Sequence, residues 1–262
     1  MNKQIKAVFF DVDGTLVSHR THGVNKSTIQ SIEQLRKQGI LTIVATGRHP
    51  IEIARLLPDE LKFDAYLCLN GMLCLQADQL ISSHPIDKQD LHHLLQYLKD
   101  NPFPCIFINQ YEMYINYANA LVQRVQKDIS SQVPTIKDTS NTENEDILQL
   151  IPYGLSDEQI QSVLNIMPHS KATSWHPDAR DIIAKGGGKD KGIQEILEYY
   201  HLDASECMAF GDGDNDVSML KMVGLSIAMG NGNDNVKQVA NYITKNIDDD
   251  GIYHALRKYR II

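Results

Sequence analysis

Ala7-Val8-Phe9-Phe10 runs straight into Asp11-Val12-Asp13-Gly14-Thr15. An unbroken apolar run of this length suits a strand covered on both faces, as in a parallel sheet. The run stops at two carboxylates, which places Asp11 and Asp13 at the carboxyl edge of that sheet, where open α/β folds carry their sites. With a spacing of two, both carboxylates can project to the same side, and Gly14 lets the chain turn away at once. Such a pair can hold a hard cation such as Mg²⁺. One member can attack phosphorus while the other handles a proton.

Outward from this stretch, strand-like runs alternate with helical patterns. A helix with Ile29, Ile32 and Leu35 on one face has Asn25 or Ser27 as its cap and Gly39 as its stop. Ile40 to Ala45 reads as the next strand, ending in Thr46-Gly47-Arg48. A short helix from Ile51 to Leu57 and a strand from Ala65 to Leu69 follow, the latter ending at the turn signal Asn70-Gly71. Beyond His84 the texture changes. Helices are expected at Lys88 to Lys99, Ala120 to Gln132 and Asp157 to Met167. Strands are expected at Cys105 to Asn109, Met113 to Tyr117, Ile147 to Ile151, Ala172 to His176 and Asp181 to Ala184, with an exposed loop over Lys137 to Asp146. Alternation resumes at Gly186-Gly187-Gly188. Ile193, Ile196, Leu197 and Tyr200 mark a helix, Cys207 to Phe210 a buried strand, and Leu225 to Met229 another. The expected fold is α/β, a Rossmann-like parallel-sheet core split in sequence (1–83 and 187–262) around an inserted α+β cap (84–186).

The 262 residues carry a net charge of −8, with 42% hydrophobic and 22% charged residues, values that exclude collagen-like, coiled-coil and wholly disordered chains. The acidic balance argues against nucleic acid as a partner, because that affinity comes from Lys and Arg. No apolar stretch matches a signal peptide or a membrane span, so a cytoplasmic protein without a membrane partner is expected, as a monomer or small homo-oligomer. Cys68, Cys74, Cys105 and Cys207 lack CxxC spacing and read as small core residues.

A second acidic cluster, Gly211-Asp212-Gly213-Asp214-Asn215-Asp216, follows the strand at Cys207 to Phe210. It is no calcium loop, since Val217 stands where the loop requires Gly and Val223 where it requires Glu. If the sheet brings Asp212 beside Asp11 and Asp13, three oxygen donors converge on a Mg²⁺ site. A phosphoryl group also needs a hydroxyl, free N–H groups and a cation around its oxygens, which Thr46, Gly47 and Lys191 could supply. The triple glycine does not fit a P-loop.

In that order, Asp11-Val12-Asp13-Gly14-Thr15, Thr46-Gly47-Arg48, Lys191-Gly192 and Gly211-Asp212-Gly213-Asp214-Asn215-Asp216 resemble the four signature motifs of the haloacid dehalogenase superfamily of phosphatases. Ala228-Met229-Gly230-Asn231, Val236-Lys237, Ala240, Thr244, Asp250-Gly251-Ile252 and Asn70-Gly71 resemble its Cof-type branch, with Gly232 where Ala is commoner. The resemblance implies Asp11 as the nucleophile that forms an aspartyl-phosphate and Asp13 as general acid and base. It implies Mg²⁺ held by Asp11, Asp13 through its backbone carbonyl, and Asp212, with Asp216 as an orienter or indirect ligand. It implies a phosphoryl group held by Val12, Thr46, Gly47, Lys191 and Asn215, and Arg48 and Asn70 bordering the substrate pocket.

The function so implied is Mg²⁺-dependent hydrolysis of a small phosphorylated metabolite, a sugar phosphate above all, with the cap selecting the leaving group. Phosphomannomutase-like phosphotransfer is the alternative within the same superfamily. It ranks lower because the cap has few basic residues, among them Arg124, Lys127, Lys137, Lys171 and Arg180. A non-catalytic sugar-phosphate sensor is the alternative from another class, disfavoured because every matched position is intact. Trp175 and Arg180 are expected as a cap-core side chain and a solvated charge, and His92 and His93 as ordinary helix residues.

Overall fold

The computed structural model of the chain describes residues 4–77, 79–129 and 131–262. Met1 to Lys3, and Ser130 in the expected helix from Ala120, lie outside the described residues. Two compact units result, one from residues 1–82 and 188–262 and the other from residues 83–187.

The first unit opens with β1 (Ala7–Phe10), α1 (Lys26–Lys37), β2 (Leu41–Ala45), α2 (Pro50–Leu56), β3 (Ala65–Cys68), β4 (Leu73–Gln76) and β5 (Gln79–Ser83). The second unit holds α3 (Lys88–Asp100), β6 (Cys105–Ile108), β7 (Met113–Ile115), α4 (Ala120–Asp128), β8 (Thr135–Ile136), β9 (Gln149–Pro152), α5 (Asp157–Ile166), β10 (Ser170–His176) and β11 (Ala179–Ala184). The chain then returns to the first unit through α6 (Lys189–Tyr200), β12 (Cys207–Gly211), α7 (Val217–Met222), β13 (Leu225–Ala228), α8 (Asp234–Val239), β14 (Tyr242–Ile243) and α9 (Gly251–Lys258).

In the first unit the sheet order is β14-β13-β12-β1-β2-β3-β4-β5. From β14 to β3 every pairing is parallel. All four residues of β1 are fully buried, which is why the sequence shows a continuous run instead of alternation. Ala7 and Phe9 join Ile193, Ile196 and Leu197 of α6 in one core cluster. On the opposite face Phe10 stacks on Phe210 at 5.4 Å between ring centroids. Side chains such as Phe9 and Phe10 each contribute about 1.5–3 kcal/mol by leaving water. The register then decides the site: Phe10 pairs with both Val44 and Phe210, so Asp11, Ala45 and Gly211 leave the sheet side by side at its carboxyl edge.

Four strands were not expected: β4, β5, β8 and β14. After Asn70 (φ 55°) and Gly71 (φ 89°) the chain reverses, and β4 runs antiparallel to β3 with Leu67 opposite Cys74. Asn25 does precede α1 but makes no side-chain cap; its amide instead donates to the Ile247 carbonyl at 2.7 Å.

The second unit has its own sheet, ordered β10-β11-β9-β6-β7-β8, antiparallel except for β7 with β8. Leu91 and Leu94 of α3 and Val163 of α5 pack on Phe107, Tyr114, Leu150 and Ile182. The expected loop over Lys137 to Asp146 contains a one-turn helix, Thr142–Asn144, anchored by the buried Thr142 hydroxyl on the Tyr114 hydroxyl at 2.7 Å. Trp175 is no core residue: it is 39% exposed, with its indole N–H donated to Asp181 at 2.7 Å. Arg180 is not a free solvated charge, since it donates to the His176 carbonyl at 2.5 Å and to Asp157 at 3.1 Å. His92 is an exposed helix residue beside Glu143. All four cysteines are buried and free. No helix among the described residues is long and apolar enough to cross a membrane.

Candidate active site

Asp11 follows β1 and is buried, its N–H donated to the Phe210 carbonyl at 3.1 Å. Asp212 follows β12. Asp216 closes the one-turn helix Asp214–Asp216, where its Oδ2 accepts the N–H groups of Asp212 (2.9 Å) and Gly213 (3.0 Å). Carboxylate oxygens of Asp11, Asp212 and Asp216 lie within 4.8 Å of one another. Thr15, also fully buried, donates its hydroxyl to Asp212 Oδ1 at 2.8 Å. Gly14 has φ +80°, and a Cβ there would stand 2.3 Å from Asp212 Oδ2, so the turn after Asp13 requires glycine on both counts.

The cation in this cluster is Lys189. Its ammonium, 2% exposed as a residue, donates to Asp11 Oδ1 at 2.5 Å, Asp216 Oδ1 at 2.6 Å and the Ala45 carbonyl at 2.8 Å. Lys191, expected in this role, stands elsewhere. Its side chain is 40% exposed and faces Glu195 at 3.5 Å. Both lysines lie in the first turn of α6, and two residues along a helix turn a side chain by roughly 200°, so only one of them can face the sheet. The signal was present: Lys189 precedes Ile193 by four residues and Ile196 by seven, on the buried face of α6.

Burial, and then the charge of Asp216, holds the Asp11 carboxyl well above the usual carboxylate range. The same two causes push Asp212 up to about 7. Burial alone would lower the Lys189 ammonium, but Asp11 and Asp216 outweigh it and keep it charged. Three carboxylates facing one ammonium form a set of hard oxygen donors with uncompensated negative charge. That donor set fits a divalent cation such as Mg²⁺. Asp11 and Asp212 are the side chains with oxygen to offer it, because both oxygens of Asp216 are engaged by Lys189 and backbone N–H groups.

Asp13 points into a different partnership. Arg48 grips it with two bonds, Nε to Oδ2 at 2.7 Å and Nη2 to Oδ1 at 2.8 Å. Arg48 is itself held by Glu52 at 3.4 Å. Thr46 is buried at the end of β2, and its hydroxyl accepts the Arg48 N–H at 3.1 Å. Gly47 lies against the Asn70 side chain, whose amide atoms would stand 3.2 Å from a Cβ at that position. The Val12 side chain is fully buried, and its carbonyl accepts the N–H groups of Leu16 and Val17. Asn215 is exposed on the one-turn helix that carries Asp216.

The family model for haloacid dehalogenase-like hydrolases matches residues 8–256. The chain is a haloacid dehalogenase-like hydrolase. Among solved structures, this hydrolase superposes on BT1666 of Bacteroides thetaiotaomicron, described among phosphatases of the superfamily. That match has a TM-score of 0.89 and 31% identity over 99% of this chain and 96% of the other. It also superposes on BT4131, a subclass IIB sugar phosphatase, with TM-score 0.84 and 31% identity over 98% and 100% of the two chains. In sequence it is 29% identical to YkrA, a candidate phosphatase of Bacillus subtilis, over 98% of each chain. Family and relatives together make this hydrolase a phosphatase.

Proposed function

We propose that the enzyme hydrolyses small phosphate monoesters, sugar phosphates first among them, through a phosphorylated Asp11 and with Mg²⁺. The observation that carries this reading is the buried Asp11–Lys189–Asp216 triad with Asp212 beside it at the carboxyl ends of β1 and β12. Lys189 fixes one oxygen of Asp11, and the carboxylate attacks phosphorus while the bond from phosphorus to the ester oxygen breaks. Asp13, released from Arg48 and protonated, gives its proton to the departing alkoxide. It then takes a proton from the water that attacks the Asp11 phosphoryl group, which returns the carboxylate and releases inorganic phosphate. Asp11, Asp212 and the Asp13 backbone carbonyl, with Asp216 behind them, would hold Mg²⁺, which would supply the positive charge an anionic nucleophile needs to approach an anionic phosphate. Thr46, the Val12 and Gly47 N–H groups, Lys189 and Asn215 surround the phosphoryl oxygens in this reading, with Arg48 and Asn70 at the pocket.

Sugar phosphates are favoured because BT4131 is a sugar phosphatase. The 26% identical YitU of Bacillus subtilis is a 5-amino-6-(5-phospho-D-ribitylamino)uracil phosphatase, so a ribityl phosphate belongs in the panel. Hydrolysis ranks above transfer between two sugar hydroxyls because basic residues of the second unit are matched within it: Arg124 by Asp178, Lys137 by Glu112 and Arg180 by Asp157. The second unit is the part assigned to choosing the leaving group, and the four free thiols suit a cytoplasmic enzyme.

Phosphate release from a panel of sugar, ribityl, nucleotide and cofactor monophosphates, with Mg²⁺ and with EDTA, tests the reading. Release that needs the metal and is lost in Asp11→Asn is expected. Near-normal turnover by that variant removes Asp11 from the nucleophile's role.

A further inference from the structure

The Ala228-Met229-Gly230-Asn231 stretch has no part in the chemistry above, yet it lies against both carboxylate loops. After β13 the Met229 N–H donates to the Gly211 carbonyl and the Asn233 N–H to the Asp212 carbonyl, both at 3.0 Å. A Cβ on Gly232 would lie 3.1 Å from Asp212 Cα, so this loop follows the Asp212 segment closely. From its middle, Asn231 reaches the other loop: its Nδ2 donates to the Gly14 carbonyl at 2.8 Å. Its Oδ1 accepts the Ile247 N–H at 2.8 Å. Asn231 is exposed, so packing does not explain an amide here. A side chain of this length that both donates and accepts does.

We propose that Asn231 is a positioning residue, and that the 229–233 loop is a clamp setting the spacing between the Asp11 and Asp212 loops. The proposal rests on the phosphatase reading, since the spacing matters only if those carboxylates act together. The peptide it holds is a sensitive one. Gly14 is pressed against the Asp212 carboxylate, and the next residue, Thr15, donates its hydroxyl to the same group. The Thr15 N–H bond to the Val12 carbonyl is 3.4 Å, too long to fix that peptide by itself. The far end of the clamp is anchored too. Ile247 opens a one-turn helix whose Asp248 accepts Ser18 Oγ at 2.8 Å and Arg20 Nε at 2.9 Å, so residues 247–248 and 14–20 are tied at several points.

Two variants separate the limbs. Asn231→Leu removes both bonds without adding charge. Asn231→Asp keeps an acceptor for Ile247 but loses the donor to Gly14. Hydrogen exchange by mass spectrometry should show residues 11–17 exchanging about fivefold to tenfold faster in both variants, the opening expected from one lost hydrogen bond, with β1 and β2 as protected as in the wild type. In Asn231→Asp the Ile247–Asp249 turn should stay protected. On the best substrate of the panel, kcat should fall about 10- to 100-fold, as for other residues that orient an active-site group, with KM within about twofold and the melting temperature little changed. Unchanged exchange over 11–17 in both variants overturns the clamp, and so does faster exchange with kcat within about twofold of wild type. A wild-type enzyme that releases no phosphate refutes the phosphatase reading instead. The exchange measurement needs no turnover and tells the two failures apart.

Discussion

Replacing Lys189 by methionine removes a buried ammonium and leaves a side chain of similar length among three carboxylates. Three bonds disappear together, to Asp11, Asp216 and the Ala45 carbonyl. Removing one partner of a buried ion pair costs about 3–5 kcal/mol, because the charge left behind is no longer compensated. At about 2–4 °C per kcal/mol for a chain of this size, the melting temperature should fall by about 6–20 °C. Lys191→Met, which removes a half-exposed ammonium 3.5 Å from Glu195, should cost no more than about 1 kcal/mol. The pH dependence sharpens the test. Asp11 is raised in the native state, chiefly by burial and then by Asp216, and Lys189 is what lowers it. Above the unfolded carboxyl value near 3.8 and below the raised native value, the folded chain binds more protons than the unfolded one, so stability falls as pH rises through that window. Without Lys189 the window widens. The Lys189→Met penalty should therefore be larger at pH 8 than at pH 5. Unfolding in EDTA at both pH values, for wild type and the two variants, measures it. A penalty equal at the two pH values, or a Lys191→Met variant as unstable as Lys189→Met, would refute the assignment of Lys189 as the compensating charge.

Because Asp212 is pushed up to about 7 by burial and Asp216, and ligand oxygens must be deprotonated to bind a metal, Mg²⁺ should raise the melting temperature more at pH 8 than at pH 5.5. Equal shifts, read by differential scanning fluorimetry, would count against Asp212 as a ligand. Gly71→Ala places a methyl group 2.1 Å from the Gly188 carbonyl at φ +89° and should cost more than about 2 kcal/mol. Gly39→Ala, at φ +75° but in open space, should cost only about 1–2 kcal/mol. Urea titration of the pair separates backbone strain from collision.

The Asp11 and Asp212 ends of the site were legible because each follows a short, fully apolar strand, and parallel register carries adjacent strand ends to one edge. The split core and the α+β insertion were visible for a related reason, since strand-helix alternation stops near His84 and resumes at Gly186. What the pattern hid is three-dimensional in a stricter sense. β4 and β5 lie beyond a left-handed Asn70-Gly71 turn, and nothing in Leu73-Cys74-Leu75-Gln76 states its direction. Lys191-Gly192 matches the family's spacing in one dimension, whereas the helical face chooses Lys189. Thr15 and Asn231 stood inside quoted motifs without a role, because their partners, Asp212 and Gly14, are about 200 residues distant in sequence.

Gly71 has no room for a side chain because the Gly188 carbonyl rests on it, one residue before Lys189. The chain thus re-enters the first unit onto a fixed seat, and Asp11, Asp13, Thr46, Lys189, Asp212 and Asp216 all belong to that unit. In evolutionary terms the insertion is a replaceable module. Residues 83–187 can drift or lengthen while Lys189 is delivered to the same place, because none of those six side chains belongs to that segment.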